Sequence, residues 1–299
     1  MTRNRGFQVR APAKINLGLT VLGRRPDGYH ELESVMQQVS LADTLLFEPC
    51  PGTGWYFSCS EQALAGKDNL VCLAAETLLR QTSRSLPGVR ITLYKNIPVE
   101  AGLAGGSSDA AATLVALNDY WQLGVSNAEL IKMAATLGSD VPYCLFGGTV
   151  LARGRGEQLE RLQSLPFFWV VLVLPPALTL STAAVYRSLE LRHAGEPPLD
   201  VLLHAIRDGN SDNIVKWFVG GQTNTLETVV LPACDSLRKL KGQLQSLGLH
   251  PALSGSGPTL FVLTKEYALA RSAALALQQG GNRVYFCWTI TGDKEWLDV

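Results

Sequence analysis

Apolar and polar residues alternate with period two through the first part of the chain and shift to helical spacing only past residue 68. Phe7 to Ala11, Asn16 to Leu22, Glu33 to Ser40 and Thr44 to Glu48 predict four short strands separated by Pro, Gly and Asp. Leu70, Leu73, Ala74, Thr77 and Leu78 share one helical face within 69–82, and Val89 to Tyr94 returns to strand before a turn at Asn96 to Pro98. After the glycine-rich stretch Gly102 to Gly106, Ala110, Leu114, Leu117 and Trp121 mark a long helix. Ser126 and Glu129 have the spacing of a capping box, which starts a second helix through Leu130, Met133, Ala134 and Leu137 that Gly138 stops.

Around Gly154 to Ser164 the chain becomes polar and loses its pattern, so the boundary between an N-terminal lobe, 1–160, and a C-terminal lobe, 161–299, is expected there. Beyond it the pattern predicts strands at Trp169 to Leu174, Thr259 to Thr264 and Arg283 to Trp288. Helices are expected at Thr182 to Glu190, Leu199 to Ile206 and Pro232 to Leu247, with one more between the last two strands. Strands and helices in this irregular order argue for an α+β fold rather than a doubly wound sheet. A chain of 299 residues is long enough for two cores.

Composition narrows the classes. Lys plus Arg number 26 and Asp plus Glu number 26, so the formal charge is zero; a binder that relies on neutralising nucleic-acid phosphates carries a basic excess instead. The longest apolar run, Leu165 to Leu178, is interrupted by Pro166, Pro175 and Pro176 and is too short for a membrane span. Six cysteines stand without a C-x-x-C pair, and Met1 to Gly6 is too short for a transit peptide; together these predict reduced core thiols in a cytoplasmic protein with no membrane or nucleic-acid partner.

The segment with most chemical content is Pro98-Val99-Glu100-Ala101-Gly102-Leu103-Ala104-Gly105-Gly106-Ser107-Ser108, between a strand and a helix. Glycines let backbone amides converge on an anion, and the helix that follows aims its unpaired N–H groups and positive dipole end at the same point. The loop has neither the Lys-Ser/Thr ending of a Walker loop nor a G-x-G-x-x-G pattern, and on its own it is also compatible with a turn in which Ser107 or Ser108 caps the helix. Lys14 and Asn16 fall on one face of an extended run with Ile15 and Leu17 on the other. In Gly138-Ser139-Asp140-Val141-Pro142, proline pushes Val141 toward extended geometry and Asp140 reads as a turn or cap residue. Asp27-Gly28-Tyr29-His30 is a turn followed by an aromatic and an imidazole, which by themselves can pack on each other.

Taken together, Pro12-Ala13-Lys14-Ile15-Asn16, Gly102-Leu103-Ala104-Gly105-Gly106-Ser107-Ser108 and Leu253-Ser254-Gly255-Ser256-Gly257-Pro258-Thr259 resemble the GHMP kinase superfamily in order and spacing. The resemblance implies a two-lobed fold, with an N-terminal lobe like the second domain of ribosomal protein S5 and a ferredoxin-like C-terminal lobe. It also implies ATP as cosubstrate and Mg²⁺ bridging its phosphates, with Ser107 or Ser108 as a possible ligand. Within the superfamily, Arg25-Pro26-Asp27-Gly28-Tyr29-His30-Glu31-Leu32 and Gly138 to Pro142 point to 4-diphosphocytidyl-2-C-methyl-D-erythritol as the small-molecule substrate, phosphorylated on its 2-hydroxyl on the non-mevalonate route to isoprenoid precursors. By the same resemblance Lys14 and Asp140 match the catalytic pair, and Pro98 to Ser108 the ATP loop. Asn69 matches a nucleotide-pocket asparagine, while Asn16, Tyr29, His30 and, more weakly, Thr182 match the substrate side. Glu100 and Ala104 depart from the family loop; the expectation is that Glu100 turns to solvent and that Ala104 keeps a negative φ. The competing readings are a GHMP kinase for mevalonate, homoserine or a sugar, and a nucleotide-binding protein of this fold without chemistry. The segments 27–30 and 139–142 speak against the first, and the presence of both Lys14 and Asp140 against the second.

Overall fold

The computed structural model describes residues 5–82, 85–189 and 195–291. Two long strands, β1 (Phe7–Arg24) and β2 (His30–Thr53), replace the four short ones expected. Pro12 does not end β1, because it falls at a register shift between Pro12 and Lys14 where the ladder is already interrupted, so no hydrogen bond is lost to its missing N–H. Asp43 does not break β2 either, since its buried carboxylate has partners described below.

The first sheet has the order β3–β4–β2–β5–β6 with β1 also on β2; its further strands are β3 (Trp55–Cys59), β4 (Pro87–Tyr94), β5 (Thr149–Gly154) and β6 (Gln158–Arg161). Thus the polar stretch at 154–164, although patternless, includes a hairpin strand paired with β5. Four helices accompany this sheet: α1 (Leu70–Leu79), α2 (Gly105–Tyr120), α3 (Asn127–Leu137) and α4 (Val141–Phe146). The capping box that starts α3 is formed as predicted. Val141 and Pro142 are helical, not extended: proline is tolerated in a first helical turn, where its missing donor has no partner to lose. Small side chains, Ala110, Ala111, Ala112 and Ala116, let α2 settle against α1, α4 and β1.

The second sheet is antiparallel, β10–β7–β9–β8, built from β7 (Trp169–Leu174), β8 (Ala252–Leu253), β9 (Leu260–Thr264) and β10 (Arg283–Trp288). In β7, Val170, Leu172 and Leu174 enter the core shared with the first sheet, while Val171 and Val173 enter a second core beneath the helices on the other face. Burial on both faces is why this run shows no polar alternation. The helices of this half are α5 (Thr182–Arg187), α6 (Asp200–Arg207), α7 (Ser211–Val219), α8 (Glu227–Ala233), α9 (Asp235–Ser246) and α10 (Tyr267–Gln279). Glu190, placed in a helix by the pattern, lies outside the described residues. The pattern missed α7, whose only buried side chains are Ile214 and Phe218 and whose start is capped by Asn210 Oδ1, which accepts from the Asn213 amide.

β1 ties the halves together. Its Leu19 amide donates to the Thr223 carbonyl and its Leu19 carbonyl accepts from Thr225, both at 2.9 Å, and the Trp217 indole donates to the Leu17 carbonyl. Among the described residues no helix is long and apolar enough to cross a membrane. All six cysteines are free thiols; Cys72, Cys144 and Cys287 are buried, whereas Cys50, Cys59 and Cys234 are only half-buried, short of the core positions expected for all six.

Candidate active site

A cleft of about 1000 Å³ runs between the two halves, and β1 lines it from its middle, at Lys14, to one end, at Arg24. At its middle, Lys14 projects from the bulged part of β1. The same register shift frees the Lys14 amide from the ladder, and it donates to the Leu103 carbonyl of the glycine loop at 3.1 Å. The Lys14 ammonium donates to Asn16 Oδ1 at 2.8 Å and lies 3.5 Å from Asp140 Oδ2. Asn16 Nδ2 in turn donates to the Ser34 hydroxyl, which donates to the Gly18 carbonyl, each at 2.8 Å. Lys14 is therefore held by a buried relay, while Asp140, at the start of α4, keeps a third of its side chain exposed to the cleft. Its carboxylate makes no capping bond to α4, so it faces Lys14 and the cleft.

The glycine loop lies above this pair. Three successive carbonyls are gripped from outside the loop: Ala101 by the Thr259 hydroxyl, Gly102 by the Ser254 hydroxyl and Leu103 by the Lys14 amide. A Cβ on Gly102, which has φ +75°, would stand 2.2 Å from the Ser254 carbonyl, so only glycine fits this approach. Ala104 has φ +56°, opposite in sign to the expectation. The chain must reverse there to turn the α2 amides into the cleft, and a non-glycine residue in that region carries about 1–3 kcal/mol of strain. No side chain caps α2. Its first amides, at Gly105, Gly106 and Ser107, line the cleft and are open to an anion.

Ten of the twelve residues assigned to the nucleotide side line the cleft: Asn69, Pro98, Val99, Glu100, Ala101, Gly102, Ala104, Gly105, Gly106 and Ser107. Leu103 and Ser108 do not; Leu103 is buried in the inter-sheet core, and Ser108 is buried in the first turn of α2. Glu100 is exposed at the mouth, as expected. Asn69 caps α1, accepting from the Val71 amide at 2.9 Å and donating to the Leu64 carbonyl at 2.8 Å.

The other end of the cleft carries Tyr29, His30 and Thr182. Tyr29 and His30 do not pack on each other. Tyr29 is half-exposed beneath the Arg155 guanidinium, 4.4 Å from its ring centroid, and His30 lies 5.2 Å from the ring of Tyr186. Burial, aided by the charge of Arg24, holds the His30 imidazole below its ordinary range, so it is neutral at pH 7. Thr182 bonds the Ser256 hydroxyl at 2.8 Å, in a second glycine-rich loop that Asn224 fixes by donating to the Leu253 and Gly255 carbonyls.

Sequence reasoning missed Ser34, Asn224, Arg155, Tyr186 and a buried cluster beneath the glycine loop. In that cluster Lys95 bridges Asp43 and Asp109, with all three side chains at most 4% exposed. Asp43 also accepts from the Asn96 and Ile97 amides at 2.6 and 2.8 Å. Burial, and then the charge of Asp43, push the Asp109 carboxyl up to about 8 despite Lys95. A signal was present: Asp109 stands among Ser108, Ala110, Ala111 and Ala112, all buried, so a charge there needed a partner.

Among the described residues no group of three or more His, Cys, Asp or Glu is placed to hold a metal by itself. Among the oxygen donors that line the cleft, the Ser107 hydroxyl beside the open α2 amides and the Asp140 carboxylate suit Mg²⁺ that enters on a triphosphate, because that ion keeps most of its ligands from phosphate and water.

Comparison with known proteins identifies the family. Residues 69–148 match the family model described as GHMP kinases N terminal domain, and residues 202–283 match GHMP kinases C terminal. The chain is 43% identical over 98% of its length, and 99% of the relative's, to a 4-diphosphocytidyl-2-C-methyl-D-erythritol kinase of Geobacillus thermodenitrificans. It is 47% identical over 88% of its length to the protein of the same name from Pelotomaculum thermopropionicum, of which 91% is covered. A crystal structure of 4-(cytidine 5'-diphospho)-2C-methyl-D-erythritol kinase superposes with a TM-score of 0.81 at 36% identity, over 96% of this chain and 100% of that one.

Proposed function

Since the chain belongs to the 4-diphosphocytidyl-2-C-methyl-D-erythritol kinases of the GHMP family, we propose that it transfers the γ-phosphoryl group of ATP to the 2-hydroxyl of 4-diphosphocytidyl-2-C-methyl-D-erythritol. The reaction belongs to the non-mevalonate route to isoprenoid precursors and takes place in the cytoplasm. The observation that carries the reading is the Lys14–Asp140 pair, 3.5 Å apart, midway between an amide-lined loop and an aromatic–imidazole end. Residues 1–160 hold the nucleotide, and residues 161–299 complete the acceptor side through Thr182 and Tyr186.

The triphosphate lies on the open amides of Gly105, Gly106 and Ser107, where the α2 dipole adds to their attraction. Ser107 and Asp140 are the residues that would hold Mg²⁺ arriving with ATP, which neutralises charge on the phosphate oxygens. Phosphoryl transfer through a loose transition state depends on alignment and charge more than on covalent help from the protein. Asp140 accepts the proton of the 2-hydroxyl as its oxygen bonds the γ-phosphorus and the bond to the β–γ bridging oxygen breaks, releasing ADP. Lys14 stabilises the charge on the moving group, and Asn16 with Ser34 keeps its ammonium in place.

Tyr29 offers a ring face to the cytosine, and neutral His30 offers one donor and one acceptor to its edge. Acidification through the depressed His30 value removes the acceptor. The acceptor KM therefore rises roughly 2–10-fold as the pH falls to below the ordinary imidazole range, the worth of one hydrogen bond, while the KM for ATP changes less. Parallel changes in both constants would contradict this role.

The test of the reaction is ADP release measured with 4-diphosphocytidyl-2-C-methyl-D-erythritol beside mevalonate and homoserine. Turnover is expected with the first alone; turnover only with one of the others overturns the assignment.

A further inference from the structure

Both ligands of this cleft are polyanions, yet among the described residues two of its five lining lysines and arginines are already paired with carboxylates. Lys95 is shared by Asp43 and Asp109, and Lys14 faces Asp140. Among the described residues the lining cations without a carboxylate in ion-pair range are Arg24, Arg155 and Arg187. Arg155 is the one of these three seated on a ring, 4.4 Å above Tyr29.

Its place in the fold is defined. Arg155 sits in the tight turn between β5 and β6, flanked by Gly154 and Gly156 at φ +74° and +112°. Its amide donates to Glu157 Oε2 at 2.7 Å, which fixes the turn. A Cβ on Gly156 would stand 4.0 Å from the Ser139 carbonyl, so the turn runs from the Tyr29 ring to the residue that precedes Asp140. The nearby Asp27 is taken up by Arg25 and by the Tyr29 amide, leaving the Arg155 guanidinium its donors.

An acceptor with its pyrimidine at Tyr29 and its reacting hydroxyl at Asp140 must pass its diphosphate across this turn. We infer that Arg155 is a specificity-determining residue that binds the diphosphate of the acceptor, selecting nucleoside diphosphates over the uncharged nucleoside. This inference rests on the acceptor assignment proposed above. A planar guanidinium suits the role, since it offers paired donors to phosphate oxygens while its face stays on the ring.

The test compares Arg155→Gln and Arg155→Lys with the parent in two measurements. In calorimetric titrations of CDP and of cytidine, the parent prefers CDP; Arg155→Gln loses roughly 10–100-fold in CDP affinity with cytidine binding within twofold, and Arg155→Lys recovers part of the loss. In steady-state assays the acceptor KM of Arg155→Gln rises by a similar factor and the KM for ATP stays within twofold. An unchanged CDP-over-cytidine ratio in Arg155→Gln, or equal losses for both ligands, overturns the inference while leaving the acceptor assignment standing. Failure of the parent to bind CDP at all overturns both.

Discussion

Asp140→Asn lowers turnover by roughly 10²–10⁴-fold, the usual value of a positioned general base, with the KM for ATP little altered. The substitution is nearly isosteric and its fold cost is small, because the Asp140 carboxylate makes no capping bond and stands at the cleft surface. Its charge is what disappears. The amide neither accepts the proton of the attacking hydroxyl nor balances the Lys14 ammonium, which stays anchored on Asn16 at 2.8 Å. Single-turnover rates of the variant with saturating ATP and acceptor are the direct measurement, and near-normal rates would remove Asp140 from the role of base.

Lys95→Met lowers the stability by about 3–5 kcal/mol, the range found when one member of a buried charged cluster is removed. Methionine matches the lysine stem but leaves Asp43, with no exposed surface, without its cation. Asp109 is only partly spared. Burial and the charge of Asp43 already favour its protonated form, yet its Oδ1 has no hydrogen-bond partner among the described residues and loses the Lys95 bond at Oδ2 as well. Urea unfolding followed by circular dichroism measures the difference; a loss below about 1 kcal/mol would show that the cluster adds little to the fold. Since Lys95 lies directly under Gly105, the same variant weakens ATP binding by loosening the floor of the amide-lined loop.

How far these features could be read from the sequence depends on whether their cause is local. The α3 cap was legible because Ser126 and Glu129 satisfy each other three residues apart. The loop was legible because glycine spacing and a following helix are contiguous. The sign of φ at Ala104 was not, since it follows from carbonyls gripped by Ser254 and Thr259, about 150 residues away. Nor was the length of β1 and β2, where proline and aspartate read as breaks although a bulge and a distant lysine accommodate them. Lys14, Asn16, Tyr29, His30, Thr182 and Asp140 were placed in one cleft by resemblance, and the fold brings them there. Arg155 and Tyr186 had no pattern to announce them, because their significance lies in which rings they touch.

The hydrogen bonds of β1 to the distal half set the order in which the protein can be completed. Leu17, Leu19 and Val21 depend on partners at Trp217, Thr223 and Thr225, some two hundred residues later in the chain. During synthesis from the N-terminus, a chain of about 160 residues already contains Lys14, the glycine loop and Asp140, but not the segments that bond the loop carbonyls and the Leu17–Val21 end of β1. Contacts of such long sequence separation close late and slowly. The grip on the phosphate loop is therefore completed late, and a nascent or truncated chain carries the Lys14–Asp140 pair without the Ser254 and Thr259 bonds that fix the loop above it.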